Sequence, residues 1–193
     1  MIWPRLRHVN YICILISMSK TRFLTHSALI AAIYATFTVL LAPISFGPQQ
    51  VRVTEALAIL PAFTPAAVPG LFIGCVIANS ISFLGLPDLI FGSLATLASA
   101  LLTSLIARKS KGRGIVLRIV LLPLPAVLIN AVVIGAMLAV LMSIPFAAAA
   151  AGVLVGQALS CYGIGAPLYI ALNGFIGHME KRGRTTTIYQ RER

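Results

Sequence analysis

The chain predicts an all-α integral membrane protein, a bundle of about six transmembrane helices with its N- and C-termini on the cytoplasmic side. Three observations carry that reading. Hydrophobic residues fill 59% of the 193 positions and charged residues only 10%, whereas soluble domains are about 45–50% apolar. The apolar residues fall in runs broken by Pro, Gly and basic clusters, and about 20 such residues in a helix cross a hydrocarbon core about 30 Å thick. The net charge of +11 sits in the gaps between those runs rather than over a polar surface, a pattern that orients a membrane protein and argues against nucleic acid as a partner. One compact bundle is expected at this length.

Residues 1–17 are read as an extension with no functional role. Their apolar stretch, 9–16, is too short to span. Arginines precede it as in a secretory signal peptide, but no small-residue cleavage site follows, and MSKTRF at Met18 reads equally well as a start. The transmembrane domain is expected over 18–180. The first span, 23–42, holds no charged residue and carries Ala28, Ala31, Ala32 and Ala35. Ala28/Ala32 and Ala31/Ala35 are each spaced to let another helix approach closely, from within the bundle or from a partner.

Pro43 and Gly47-Pro48 end that span. A short second helix is expected at 56–63, bracketed by Pro61 and Pro65. The third segment, 69–83, contains Gly70, Gly74 and the polar Asn79. Asp88 begins the fourth, 89–107, where a carboxylate can cap free backbone N–H groups. The basic run RKSKGRG, 108–114, precedes a long fifth segment, 115–142, which Pro123 and Pro125 should kink and which holds Asn130. The sixth, 148–176, carries Gln157, Cys161 and Tyr162, with a bend expected at Gly163, Gly165 and Pro167. A basic, irregular tail, 181–193, is expected to be cytoplasmic.

Charge supports an even number of crossings. With six spans, every one of the 15 Lys and Arg residues except Arg52 lies on one side, which the charge bias of cytoplasmic loops makes the inner one. Dropping the doubtful second segment alone would scatter these clusters over both sides.

Catalysis and metal binding find no support. His8, His26 and His178 lie far apart, and no H-E-x-x-H set, G-x-x-x-x-G-K-[ST] phosphate loop or G-x-S-x-G elbow occurs. Cys13, Cys75 and Cys161 lack paired spacing and read as small apolar fillers. No cofactor is expected.

Binding fits better. The stretch SFGPQQVRVTE, 45–55, places polar groups where the chain otherwise avoids charge: of 4 acidic residues, only Glu55 and Asp88 adjoin apolar segments. An ionisable group there needs a partner, a ligand or water. The candidate substrate contacts are Phe46, Gln49, Gln50, Arg52, Glu55, Asn79, Asp88, Asn130, Gln157 and Tyr162. Their amides donate and accept, which suits a planar heterocycle. Glu55 can accept two parallel N–H bonds from a guanine-like edge, and Phe46 or Tyr162 can stack on the ring. The structural alternatives are an Arg52–Glu55 pair three residues apart and amides that serve only as interhelical hydrogen bonds.

ALIAAIYATFTVLLAPISFGPQQVRVTEALAILP, followed by PGLFIGCVIAN and DLIFGSLATL, closely resembles the QueT family of queuosine-precursor transporters over nearly the whole chain from Met18. Its most specific part is the SFGP-Q-x-R-x-x-E block. The resemblance implies a six-helix substrate-binding (S) component of an energy-coupling factor (ECF) importer in a prokaryotic cell membrane, taking up a 7-deazaguanine. It implies as partners a transmembrane coupling protein and two cytoplasmic ATPases, with Ala28, Ala31, Ala32 and Ala35 as the docking face. The alternatives are an S component for another vitamin-like solute and an autonomous small-solute carrier.

Overall fold

A computed structural model describes residues 19–46 and 51–191, with side chains through His178. The extension 1–17 and the candidate contacts Gln49 and Gln50 lie outside the described residues. Among the described residues every regular element is helical: α1 (Lys20–Leu40), followed by a single helical turn at Ala42–Ser45, then α2 (Val53–Ala62), α3 (Ala67–Asn79), α4 (Ser93–Lys109), α5 (Ile115–Leu121), α6 (Leu124–Met142), α7 (Phe146–Ala158) and α8 (Ala166–Arg191). Two wide, π-type segments, Asp88–Gly92 and Leu159–Gly165, join the helices that flank them.

Among the described residues four stretches are long and apolar enough to cross a membrane: Lys20–Leu40, Asp88–Lys109, Ile115–Met142 and Phe146–His178. The other two expected spans are short, α2 with 10 residues and α3 with 13. Their boundaries shift from the expected 56–63 and 69–83, because Val53 to Glu55 are already helical and the chain turns after Asn79. Pro123 divides the fifth segment into α5 and α6 as expected. α8 continues through Arg191.

The outside is apolar, and the interior mixes apolar side chains with buried polar groups. Leu24, Leu29, Phe37, Leu40, Leu128 and Val132 are exposed, while Thr38, Thr54, Glu55, Asp88, Thr103, Asn130 and Gln157 are buried. In a lipid solvent apolar side chains gain nothing by hiding, so polar groups take the interior and bond to one another.

Close packing fixes the frame. A Cβ added to Gly74 would lie 2.8 Å from the Ala31 carbonyl and from Tyr34 Cβ, and one at Gly70 would lie 2.8 Å from the Ser27 carbonyl. The small residues of α3 thus receive the face of α1 that carries Ala31 and Ala35. Ser27 Oγ also donates to the Ala66 carbonyl at 3.0 Å, tying the start of α3 to α1. On the opposite side Gly135 of α6 admits Ala150 of α7, whose Cα lies 2.7 Å from the position a Cβ would take.

α2 is a 3₁₀ helix. At about 2.0 Å per residue it advances about 20 Å, against about 15 Å for the same length of α-helix. Its start meets Asp88 through Arg52. Its end joins a cluster of Ile59, Ala62, Ala107, Leu122 and Tyr169, beside the basic loop that follows α4. Extension by the tighter helix therefore lets a short segment run beside most of α4.

The interhelical fit at Gly74 is testable. Gly74→Val should cost about 1–3 kcal/mol by overpacking and lower the unfolding temperature of the detergent-solubilised protein. Gly163→Ala, where nothing lies within 4 Å, should leave it nearly unchanged.

Candidate functional site

Arg52 caps the entry to α2, and Asp88 opens the wide segment before α4. The Arg52 Nη2 donates to Asp88 Oδ1 at 2.8 Å and Oδ2 at 3.0 Å, with both side chains buried. This overturns two structural alternatives. Asp88 makes no capping hydrogen bond, because its carboxylate turns inward to the guanidinium. Arg52 does not take Glu55 as its ion-pair partner, since its Nη2 pairs with both oxygens of Asp88 instead.

Asn79 completes this half of the site. Its Nδ2 donates to the Asp88 carbonyl at 3.0 Å and to Cys75 Sγ at 3.3 Å. Thr96 Oγ1 also donates to Cys75 Sγ at 3.3 Å, and Arg52 Nη1 approaches it at 3.9 Å. Cys75 is therefore a buried acceptor rather than mere filler. The Arg52 guanidinium lies 5.4 Å from the ring centre of Phe46, which meets Phe83 edge-on at 6.4 Å. Gly92 makes the room. A Cβ there would fall 2.6 Å from Asn79 Nδ2 and 2.9 Å from Asp88 Oδ1.

Glu55 forms the second half, one 3₁₀ turn further along α2. Its Oε1 accepts from the Tyr34 hydroxyl at 2.7 Å, and its Oε2 accepts from Asn130 Nδ2 at 3.5 Å. Its backbone carbonyl accepts from Cys161 Sγ at 3.4 Å. Beside it Thr38 and Thr54 share a hydrogen bond of 2.7 Å. Four parts of the bundle thus converge on one short helix.

The described candidates separate clearly. Phe46, Arg52, Asn79 and Asp88 are brought together, as are Glu55 and Asn130. Gln157 is buried one turn before Cys161. Tyr162 is not among them: its hydroxyl donates to the Val120 carbonyl at 2.9 Å on the exposed side. The neighbouring Cys161 faces inward, so the helical turn carries Tyr162 away. On α1, Ala31 and Ala35 are buried within the chain, which removes them from any docking face; Ala28 and Ala32 are exposed.

Sequence reasoning passed over Tyr34, Thr38, Thr54 and Thr96. Tyr34 carried a usable signal, as a phenol set among the apolar residues of the first span and in need of a partner. The threonines carried none, because a hydroxyl in a membrane helix can always bond back to its own backbone, as Thr38 Oγ1 also does to the Tyr34 carbonyl.

Buried atoms without a partner among the described residues include Ser45 Oγ, Arg52 Nε, Asn79 Oδ1, Ser93 Oγ and Gln157 Oε1. Arg52 and Asn79 belong to the Arg52–Asp88 centre, and Ser45 and Ser93 adjoin Phe46 and Gly92, which line it. An unsatisfied buried polar group is costly, and one way to satisfy several at once is a polar ligand. Among the described residues no group of three His, Cys, Asp or Glu side chains is placed to hold a metal ion.

The family model for the QueT transporter matches residues 24–174, which include every described residue of both centres. A curated relative, the queuosine precursor transporter QueT of Lactococcus lactis subsp. cremoris (strain MG1363), is 40% identical over 81 residues, covering 41% of this chain and 47% of that protein. The match thus spans about half the length of the relative. No solved structure matches the chain. With spans, breaks and the polar interior all inside the matched region, the chain belongs to the QueT transporter family.

Proposed function

We propose that this protein is the substrate-capture component of an ATP-driven ECF importer and binds a queuosine precursor of the 7-deazaguanine class. The observation that carries the reading is the set of buried polar groups, Arg52 Nε, Asn79 Oδ1 and Gln157 Oε1, that have no partner among the described residues. A deazaguanine presents N–H donors and a carbonyl acceptor on one rigid plane, and such a ligand can meet both kinds of unmet group. Glu55 reads the guanine-like edge through lone pairs that Tyr34 and Asn130 leave open, since a carboxylate offers about four acceptor positions. Phe46 supplies an aromatic wall beside the Arg52 guanidinium. The Lactococcus lactis relative is named as a transporter of a queuosine precursor.

Energy must come from elsewhere, because the chain has no phosphate-binding loop. A transmembrane coupling protein and two cytoplasmic ATPases fill that role. Ala28 and Ala32 offer the coupling protein a small, exposed face on α1. All six apolar segments cross, with α2 and α3 as the short pair, and both termini are cytoplasmic in a prokaryotic cell membrane. The cation-bearing loop between α4 and α5 then lies inside and the Arg52–Asp88 pair toward the outer end.

Purified protein should bind 7-aminomethyl-7-deazaguanine, 7-cyano-7-deazaguanine or queuine in an equilibrium assay and ignore riboflavin. Glu55→Gln should weaken that binding about 10- to 100-fold, the loss of a charge-assisted hydrogen bond. Folded protein that binds none of the three would refute the substrate class. Replacing both Ala28 and Ala32 by Leu should abolish uptake in cells while sparing solute binding, and normal co-purification of a coupling protein would refute the docking face. Uptake by the protein alone in proteoliposomes without ATP would instead identify an autonomous carrier. For orientation, a cysteine replacing the exposed Arg113 should escape an impermeant thiol reagent in intact cells and react after lysis; labelling in intact cells would reverse the topology.

A further inference from the structure

We propose that the end of the bundle opposite Arg52 binds an anionic phospholipid, whose phosphate meets the cations around α5 and whose acyl chains lie against that helix. The surface is separate from the buried polar groups of the interior. None of the residues of Ile115–Leu121 is buried, and the apolar side chains of this helix turn outward: Val116 is 72% exposed, Val120 49% and Ile115 43%. An apolar helix without a protein cover marks a contact with lipid or with a partner. The charges around it decide between the two.

Residues 108–118 hold Arg108, Lys109, Lys111, Arg113 and Arg118, and no acidic residue occurs between Asp88 and Glu180. Arg108, Lys109 and Arg113 are exposed. Glu180 stands about three turns, or roughly 16 Å, past Tyr169 on α8. Cations gathered beside an uncovered apolar face match a molecule with a negative head and apolar tails. That is the chemistry of an anionic phospholipid, and basic pockets between membrane helices hold such headgroups.

Arg118 adds an independent observation, because it stands within α5 itself. Its backbone N–H donates to the Gly114 carbonyl at 3.3 Å, which sets it one turn beyond the cationic loop. Its guanidinium lies 5.6 Å from the ring centre of Tyr169, and its Nε is buried with no partner among the described residues. The one ion pair among the described residues is Arg52–Asp88, so no described carboxylate neutralises Arg118. Tyr169 packs on Phe63 at 5.2 Å and in the cluster of Ile59, Ala62 and Leu122, and the Tyr162 hydroxyl donates to the Val120 carbonyl at 2.9 Å. α5 is thereby fixed with its cation beside the loop, and a guanidinium so held offers paired donors to phosphate oxygens. A free phosphate would use the cations alone; the apolar face beside them selects a phosphate that carries acyl chains.

The test titrates the delipidated, purified full chain in neutral detergent with dioctanoyl phosphatidylglycerol and with the matching phosphatidylcholine, counting bound lipid by native mass spectrometry. Phosphatidylglycerol should bind about tenfold or more tightly. Arg108→Gln, Lys109→Gln and Arg113→Gln together, all at exposed positions, should remove most of that preference, and so should Arg118→Gln. Lys20→Gln with Arg22→Gln takes exposed charge from the start of α1 instead and should leave the preference in place. Equal affinities of the wild type for the two lipids would overturn the proposal. A preference that survives the triple replacement would also overturn it, and loss of a co-purifying membrane protein in that variant would then assign the face to a protein. An equal loss in the Lys20 and Arg22 variant would reduce the effect to diffuse attraction by net charge and overturn the site. Displacement of the lipid by inorganic phosphate at similar concentration would overturn it by making the surface a site for a free anion. If Arg118→Gln does not fold, the triple replacement decides.

Discussion

Arg52 and Asp88 place opposite charges in an interior surrounded by apolar helices, where neither is tolerable without the other. Withdrawing each from water costs several kcal/mol, and removing one partner of such a pair costs about 3–5 kcal/mol because the other is left uncompensated. The ion pair therefore obliges two parts of the chain, 36 residues apart, to meet. One is the connection from α1 to α2 and the other leads from α3 into α4. Around that meeting point Phe46 lies beside the guanidinium, Phe83 meets Phe46 edge-on, and Gly92 leaves space for Asn79. The arrangement at this end of the bundle follows from satisfying one ion pair.

Departures from α-helical geometry cluster at the same place. In α2 three residues per turn stack Arg52, Glu55, Ala58 and Pro61 in one ridge, and all four are buried. An α-helix would rotate that series steadily away from the interior, since three residues turn it by only about 300°. The tighter winding keeps both ionisable groups facing inward. One π-type segment contains Asp88 and the other contains Cys161, which reaches the Glu55 carbonyl. Such widened turns recur at functional sites, and here both flank the helix that carries Glu55.

The two faces of α1 have separate tasks. Ser27, Ile30, Ala31 and Tyr34 bring α1 against Gly70 and Gly74, a contact that also seats Tyr34 where its hydroxyl reaches Glu55. Ala28 and Ala32 remain on the outside. α1 thus touches the polar centre on one side and presents small residues on the other.

The sequence by itself determined the apolar segments, their breaks at Pro and Gly, the concentration of cations in loops, and the stretch 45–55 with Asp88 as the place where polarity enters. Those are local properties, set by transfer of side chains to lipid and by backbone sterics. Only the tertiary structure decided that Arg52 pairs with Asp88 rather than Glu55, that Glu55 belongs to Tyr34 and Asn130, that Tyr162 faces away, and which alanines of α1 are free. The physical reason is that a membrane helix is apolar on its lipid side and nearly so on its protein side. Hydrophobic periodicity, which orients a helix in a soluble protein, therefore carries no phase here. Facing is settled by close contacts at Gly70, Gly74 and Gly135 and by long-range bonds between buried polar groups, and neither leaves a mark on the local sequence.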